Sequence, residues 1–226
     1  MTRKLLTLLA FATLAACASD VDMESGEVKA LKLIKKKLDA PAGPAAYVDA
    51  RKLVSREMID AAGVPVLFVE IDRGQNGTMT QFPGVGVGET WLGSDGSTVT
   101  LERGTLKATR GVGDDLMGSE TSRELSWDDP DPAPYTRSLA HLREDNQTQV
   151  REFTCTLTNT GESHTLELFG ATFTAKLFRE TCEGPGARFT NEYHVDASGL
   201  VRKGRLYHGG GIGYVTLERL DRIKYH

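Results

Sequence analysis

From Val66 onward apolar residues recur at every second position, interrupted by short glycine-containing breaks, and that period predicts β-strands. PVLFVEID reads as a buried strand, and QFPGVGVGETW leads a second into Trp91. Asp95-Gly96 is a turn signal, followed by alternating Val99 and Leu101, and Arg103-Gly104 separates that strand from one holding Leu106 and Ala108. After the breaker SWDDPDPAPYTR at 126–137, strands resume near Gln149 with VREFTCTLT and HTLELFG. TFTAKLFRETC, NEYHVDASG, GLVRKGRLYH and GYVTLERLDRI complete roughly ten strands. Ser138–Asp145 reads as a short helical turn.

Before Val66 the period is helical. Val28, Leu31, Ile34 and Leu38 recur on one face of Glu27–Leu38, with Pro41 and Pro44 beyond. A second helix is expected over Ala50–Ala62, stopped by Gly63 and Pro65. The expectation is a mainly β fold: an antiparallel barrel-like or strongly curved sheet with two short N-terminal helices. Residues 27–226 read as one domain, with 126–137 either a surface loop or a break between two lobes.

The first residues follow neither pattern. Arg3 and Lys4 precede a ten-residue apolar run, Leu5–Leu14, too short for a membrane span of about 20 residues. Leu14-Ala15-Ala16-Cys17 matches a bacterial lipobox, making 1–16 a signal peptide, Cys17 the lipidated residue and 17–26 a tether. Ala18, rather than aspartate, follows the cysteine, which in the enterobacterial sorting pattern favours the outer membrane. Five lysines on the Glu27–Leu38 helix fit either contact with an anionic membrane surface or a solvated face of a packed helix.

Charge narrows the partners. The chain carries 27 Lys and Arg against 31 Asp and Glu, net −4, and loss of Arg3 and Lys4 with the leader makes it −6. That argues against nucleic acid as the main partner. With Cys17 assigned to lipid, Cys155 and Cys182 remain, and an even pair in an oxidising periplasm reads as a disulfide. Cys155 shares the apolar parity of its strand. Cys182 is out of phase with Phe173, Ala175 and Leu177, so the bond requires a bulge or a strand end before it.

The stretch GTLKATRGVGDDLMGSE poses the chemical question. If Leu106 and Ala108 face inward, Arg110 does too, and a buried arginine needs a partner. Gly111 and Gly113 would let the chain bring Asp114 or Asp115 back to it as a structural latch, with Arg110→Ala costing more than loss of either aspartate. A ligand carboxylate or sugar near Arg110 is the other reading. Adjacent aspartates diverge on a strand or a helix, so they do not form an acid/base pair. GVGVGE at 84–89 and HGGGIGY at 208–214 lead into strands, not helices, and read as turns rather than phosphate cradles. The histidines lack metal-ligand spacing, and no cofactor or metal site is nominated.

The lipobox, PVLFVEI, the run ETWLGSDGSTVTLERGTLKATRGVGDDLMGS, the cysteines in EFTCTLT and FRETCEG, and the terminal GYVTLERL together resemble the YjbF/GfcB family of lipoproteins, linked to exopolysaccharide and group 4 capsule production. The resemblance covers nearly the whole mature chain and is most specific at TRGVGDDLM. It implies a β-rich, barrel-like domain on the periplasmic face of the outer membrane, a porin-like outer-membrane partner, and contact with polysaccharide. It transfers no catalytic residues: Arg110, Gly111, Gly113, Asp114, Asp115 and Leu116 are motif positions only. The resulting expectation is a non-enzymatic accessory in polysaccharide export. A lipid- or lipoprotein-handling half-barrel and a periplasmic carbohydrate-active enzyme stand as alternatives.

Overall fold

The computed structural model describes residues 49–83, 88–143, 145, 147–209 and 211–222. The signal peptide, Cys17, the tether, the Glu27–Leu38 helix and most of GVGVGE lie outside them. Twelve strands form one antiparallel sheet, β1 Val66–Ile71, β2 Asn76–Phe82, β3 Glu89–Gly93, β4 Thr98–Glu102, β5 Thr105–Arg110, β6 Leu116–Thr121, β7 Tyr135–Leu142, β8 Thr148–Leu168, β9 Ala171–Gly184, β10 Ala187–Asp196, β11 Val201–Gly209 and β12 Gly213–Arg219. Their order is β5-β4-β3-β2-β1-β12-β11-β10-β9-β8-β7-β6. The sheet curls until its end strands, β5 and β6, lie side by side, giving a nearly closed barrel.

Strand β1 shows why alternation looked continuous there. Leu67, Val69 and Ile71 face the barrel interior with Trp91, Val99 and Leu217. Val66 and Phe68 face outward, yet they are covered by Ala50, Ile59, Leu166, Leu168 and Leu220 in a second core. A strand buried on both faces reads as an unbroken apolar run.

The expected helix over 50–62 is two helices, α1 Ala50–Leu53 and α2 Arg56–Ala62. Val54 is extended, and Ser55 caps α2 by accepting the Met58 N–H. Gly63, at φ 67°, ends α2 in the left-handed conformation that glycine adopts freely. Arg51 fastens α1 across the outer face, with Nη1 2.9 Å from buried Glu218 of β12 and its guanidinium 4.0 Å over Phe68.

Three other expectations change. Ser138–Asp145 is not helical, because its first residues belong to β7, paired along its length with β8. VREFTCTLT and HTLELFG are one strand, β8, bent where Asn159 pairs with Phe178 and Ser163 with Lys176. The extra residues of β8 centre on Gly161, φ 76°, and carry the far half of the β8–β9 hairpin onto the outer core. The bulge expected before Cys182 is absent: β9 keeps one register with β10 from Ala175 to Gly184, its Phe173 and Ala175 face the outer core, and Phe178, Glu180 and Cys182 face the barrel, which seats Cys182 opposite Cys155. The segment 126–137 joins β6 to β7 within the one sheet. Its Trp127 packs 4.8 Å from Tyr193 and 5.5 Å from Phe178, over one end of the barrel.

Candidate functional site

The motif TRGVGDDL occupies the seam. β5 and β6 have no backbone ladder between them, and side chains make the connection. Thr109 Oγ1 accepts the Leu116 N–H at 3.0 Å, where a strand carbonyl would otherwise serve. Arg110 Nη1 donates to the carbonyl of Thr109 at 2.5 Å and of Leu116 at 2.9 Å, joining both edges. Below them Lys107 Nζ reaches Glu120 at 3.0 Å.

Arg110 therefore points outward, contrary to its parity, and carbonyls rather than Asp114 or Asp115 receive its donors. The cause is local. β4 and β5 shift register between Thr100 and Leu101, leaving Lys107 as the extra residue. Leu106 and Thr109 then face inward, while Arg110 is exposed.

The two aspartates have different duties, consistent with their divergence. Asp115 accepts the N–H of Gly111 at 2.8 Å and of Val112 at 3.1 Å, holding the turn closed. Asp114 Oδ2 accepts the Gly211 N–H at 2.7 Å, docking this turn on the β11–β12 turn. A Cβ on Gly211 would come 2.5 Å from that oxygen, so a larger residue there would push the Asp114 carboxylate aside.

Behind the turn, Thr109 Oγ1 lies 2.9 Å from His208 Nε2, and the His141 ring nitrogen lies 2.8 Å from the His208 carbonyl. Burial pushes the His208 imidazole down to about 4, and the nearby His141 adds to the effect. A hydroxyl beside a neutral imidazole has the outline of a nucleophile and base. Thr109 and His208 are sealed from solvent, however, and neither lines any of the three cavities described below. The arrangement fastens the barrel.

A second polar cluster escaped sequence reasoning. Fully buried Glu180 accepts from Tyr135 Oη and Arg137 Nε through one oxygen, both at 2.7 Å. Its other oxygen accepts from Tyr193 Oη at 2.7 Å and Asn191 Nδ2 at 2.8 Å. Arg137 also donates to Ser119 at 2.9 Å. Burial alone would raise the Glu180 pKa, but the Arg137 charge and these hydrogen bonds hold it below the usual carboxylate range. Burial and the Glu180 charge raise both tyrosines. The Cys155–Cys182 disulfide lies beside Glu180 and leaves no thiolate for a metal. The available signal was charge on the inward phase: Arg137 alternates with Tyr135 and Leu139, and Glu180 with Phe178 and Cys182.

Cavities indent the described residues. One of about 760 Å³ lies between the helices and the motif turn, lined by apolar Leu53, Met58, Ile71, Met79 and Val112. Its Asp95 and Asn76 side chains are committed to Ser97 and to Asp49 with the Ala50 N–H. A shallow one of about 420 Å³ holds Asp114 and Arg143. The third, about 390 Å³, opens at the opposite end of the barrel beneath Trp127. Trp91 lines it, fully buried, and the indole Nε1 has no hydrogen-bond partner among the described residues. An unsatisfied buried donor costs about 1–3 kcal/mol, and the Trp91 indole carries that cost closed off from solvent. Glu89 and Arg219 are joined across the same cavity at 2.8 and 3.0 Å.

Comparison with curated protein sequences finds no match. Among solved structures, the crystal structure of the hypothetical lipoprotein YmcC from Escherichia coli (K12) is similar, with a TM-score of 0.65 and 19% identity over 81% of this chain and 100% of that one. At that identity the likeness shows the fold. The profile of the YjbF family, described as group 4 capsule polysaccharide lipoprotein GfcB, YjbF, matches residues 32–220. That span holds every strand, the seam motif and the cysteine pair, and the chain belongs to the YjbF family of group 4 capsule polysaccharide lipoproteins.

Proposed function

We propose that this protein is a non-enzymatic accessory in exopolysaccharide or capsule production, anchored in the outer membrane through acylated Cys17 and facing the periplasm beside a porin-like partner. The observation that carries the reading is the family match over 32–220, together with the lipobox at its N-terminus. Several acyl chains on Cys17 would hold the domain at the membrane stably, where one chain gives only marginal binding. The chemistry in the domain supports an accessory role. Glu180 is sealed and fully bonded, Thr109 and His208 are closed to solvent, and Glu89 is committed to Arg219.

The apolar 760 Å³ cavity favours a second reading, lipid or lipoprotein handling. Both are tested by purifying the tagged full-length lipoprotein from detergent-solubilised envelopes of its own organism, in parallel with a deletion strain assayed for surface polysaccharide. Co-purification of a porin-like protein and loss of polysaccharide support the accessory reading. Normal polysaccharide together with co-purifying free lipoproteins or lipid would replace it with the second.

A further inference from the structure

We propose that the cavity beneath Trp127 is a saccharide-binding subsite that takes a pyranose unit of a glycan chain. This inference rests on the accessory reading given above and names the ligand class and the site. A volume of about 390 Å³ lies within the range of small-ligand pockets, roughly 300–1,000 Å³. The chain has two tryptophans, and both line this cavity.

A pyranose has apolar C–H faces and a rim of hydroxyls that both donate and accept. Aromatic surface with a polar handle suits the faces, and Trp127 supplies it from the β6–β7 loop. The loop is held in place, since Trp127 Nε1 donates to the Arg103 carbonyl at 3.0 Å. Trp91 forms the buried floor of the cavity as aromatic surface, with its Nε1 closed off from solvent. Glu89 and Arg219 add an acceptor and a donor within one ion pair, and exposed Asp128 adds a second acceptor at the rim. An acyl chain would satisfy none of these groups.

The space itself is written in the sequence. Gly204 lies on the inward phase of β11, between Leu206 and the disturbed register near Val201, where a larger side chain would fill the cavity. A Cβ there meets Leu206 Cγ at 3.3 Å and otherwise stands clear of the backbone. At Gly104 a Cβ would collide with Val201, so that turn is closed tightly against the cavity wall.

Because both tryptophans are at the site, intrinsic fluorescence reads it directly. Full-length lipoprotein in a detergent without a sugar headgroup is titrated with glucose, galactose, N-acetylglucosamine and glucuronate, then with disaccharides of each, and with hexanoate as the apolar probe. A saturable change with at least one saccharide and none with hexanoate is expected. Asp128→Asn should weaken that binding about tenfold, the equivalent of one charged hydrogen bond. Gly204→Ala should reduce it further, with thermal melts of both variants verifying the fold. Saturation by hexanoate alone, no response to any saccharide at millimolar concentration, or binding unchanged in both folded variants overturns the proposal. If a deletion strain loses surface polysaccharide while the protein binds no saccharide, this inference fails and the accessory reading stands. Binding without any effect of deletion is the converse.

Discussion

Thr109 and His208, 99 residues apart in sequence, meet inside the barrel with Oγ1 and Nε2 2.9 Å apart. The same hydroxyl receives the Leu116 N–H, so one β5 side chain ties the seam to the opposite wall. Thr109→Val keeps the shape and deletes the hydroxyl, stranding a buried N–H at a cost of about 1–3 kcal/mol. For a domain of this size the melting temperature should fall by roughly 2–4 °C per kcal/mol, whereas Thr109→Ser should stay near the parent. Equal melting of Thr109→Val and parent would show that the seam closes without the hydroxyl.

The same contact makes stability depend on pH. His208 titrates near 4 in the fold because of burial, against about 6.5 when unfolded. Between these values the unfolded chain binds the proton and the fold does not. Stability should therefore decline as pH falls from 6.5 to 4, by about 1.4 kcal/mol per unit for this group alone, and this contribution should flatten below 4. His141, whose pKa burial also lowers, lies near the ring and contributes in the parent as well. The informative quantity is thus the difference between parent and His208→Gln in denaturant midpoints across that window. Parallel pH profiles would remove His208 as the source.

Much of the strand pattern was legible because one face of most strands meets a single core, and alternation then reports the fold directly. Legibility failed at bulges. A single extra residue, Lys107, reverses the phase of β5 and turns Arg110 outward, and no propensity announces it. At β8 the bulge around Gly161 makes one strand look like two, and at β9 the parity of Cys182 against Phe173 and Ala175 reflects two cores on opposite faces of an unbroken strand. Over Ser138–Asp145 the inward phase of β7 holds only Leu139 and half-buried His141, so too little apolar alternation marks the strand, which its pairing with β8 fixes. The glycines and aspartates of TRGVGDD marked a structural turn, but its contact with Gly211 is a tertiary fact that spacing cannot supply.

Within the motif the order of importance follows from what each side chain holds. Arg110 is an exposed guanidinium donating to two carbonyls, and interactions made by an exposed, solvent-screened charge contribute little. Asp115 closes two turn N–H groups through charge-assisted bonds. Asp115→Ala should therefore lower stability more than Arg110→Ala, by about 1–2 kcal/mol against less than about 1. This reverses the expectation from strand parity. Chemical denaturation of the two variants decides it, and a greater loss for Arg110→Ala would restore the arginine as the main fastener.

The disulfide joins directly opposed residues of β8 and β9, and both cysteines are sealed from solvent. Its sequence separation of 27 corresponds to roughly 3.5 kcal/mol in the chain-entropy treatment. A reductant should accordingly leave the native protein oxidised and act only when the hairpin opens. Alkylation followed by mass measurement should show two free thiols after reduction in denaturant and none after reduction under native conditions. Rapid native reduction would mean that the β8–β9 pairing opens easily, and Cys155→Ser with Cys182→Ser should then cost little.

Glu180 gives the largest expected effect, because four donors converge on it inside the barrel. Glu180→Gln preserves volume but turns one acceptor into a donor facing other donors and leaves Arg137 as an uncompensated buried charge. Breaking a buried pair in this way costs about 3–5 kcal/mol. The titration signs follow from the directions of the shifts. With Glu180 held below its ordinary range, its contribution is full above the unfolded carboxyl pKa and lost as pH falls through the folded value. With Tyr135 and Tyr193 raised, theirs is full below the unfolded phenol pKa near 10 and lost as pH climbs beyond it. Guanidinium midpoints across the pH range should thus show a plateau in the parent that shrinks at both ends. Glu180→Gln should be uniformly lower, with a weaker acid limb. If Glu180→Gln matched the parent at neutral pH, the cluster would be filling space without holding the barrel together. The inward charges of β7 and β9 would then need another explanation.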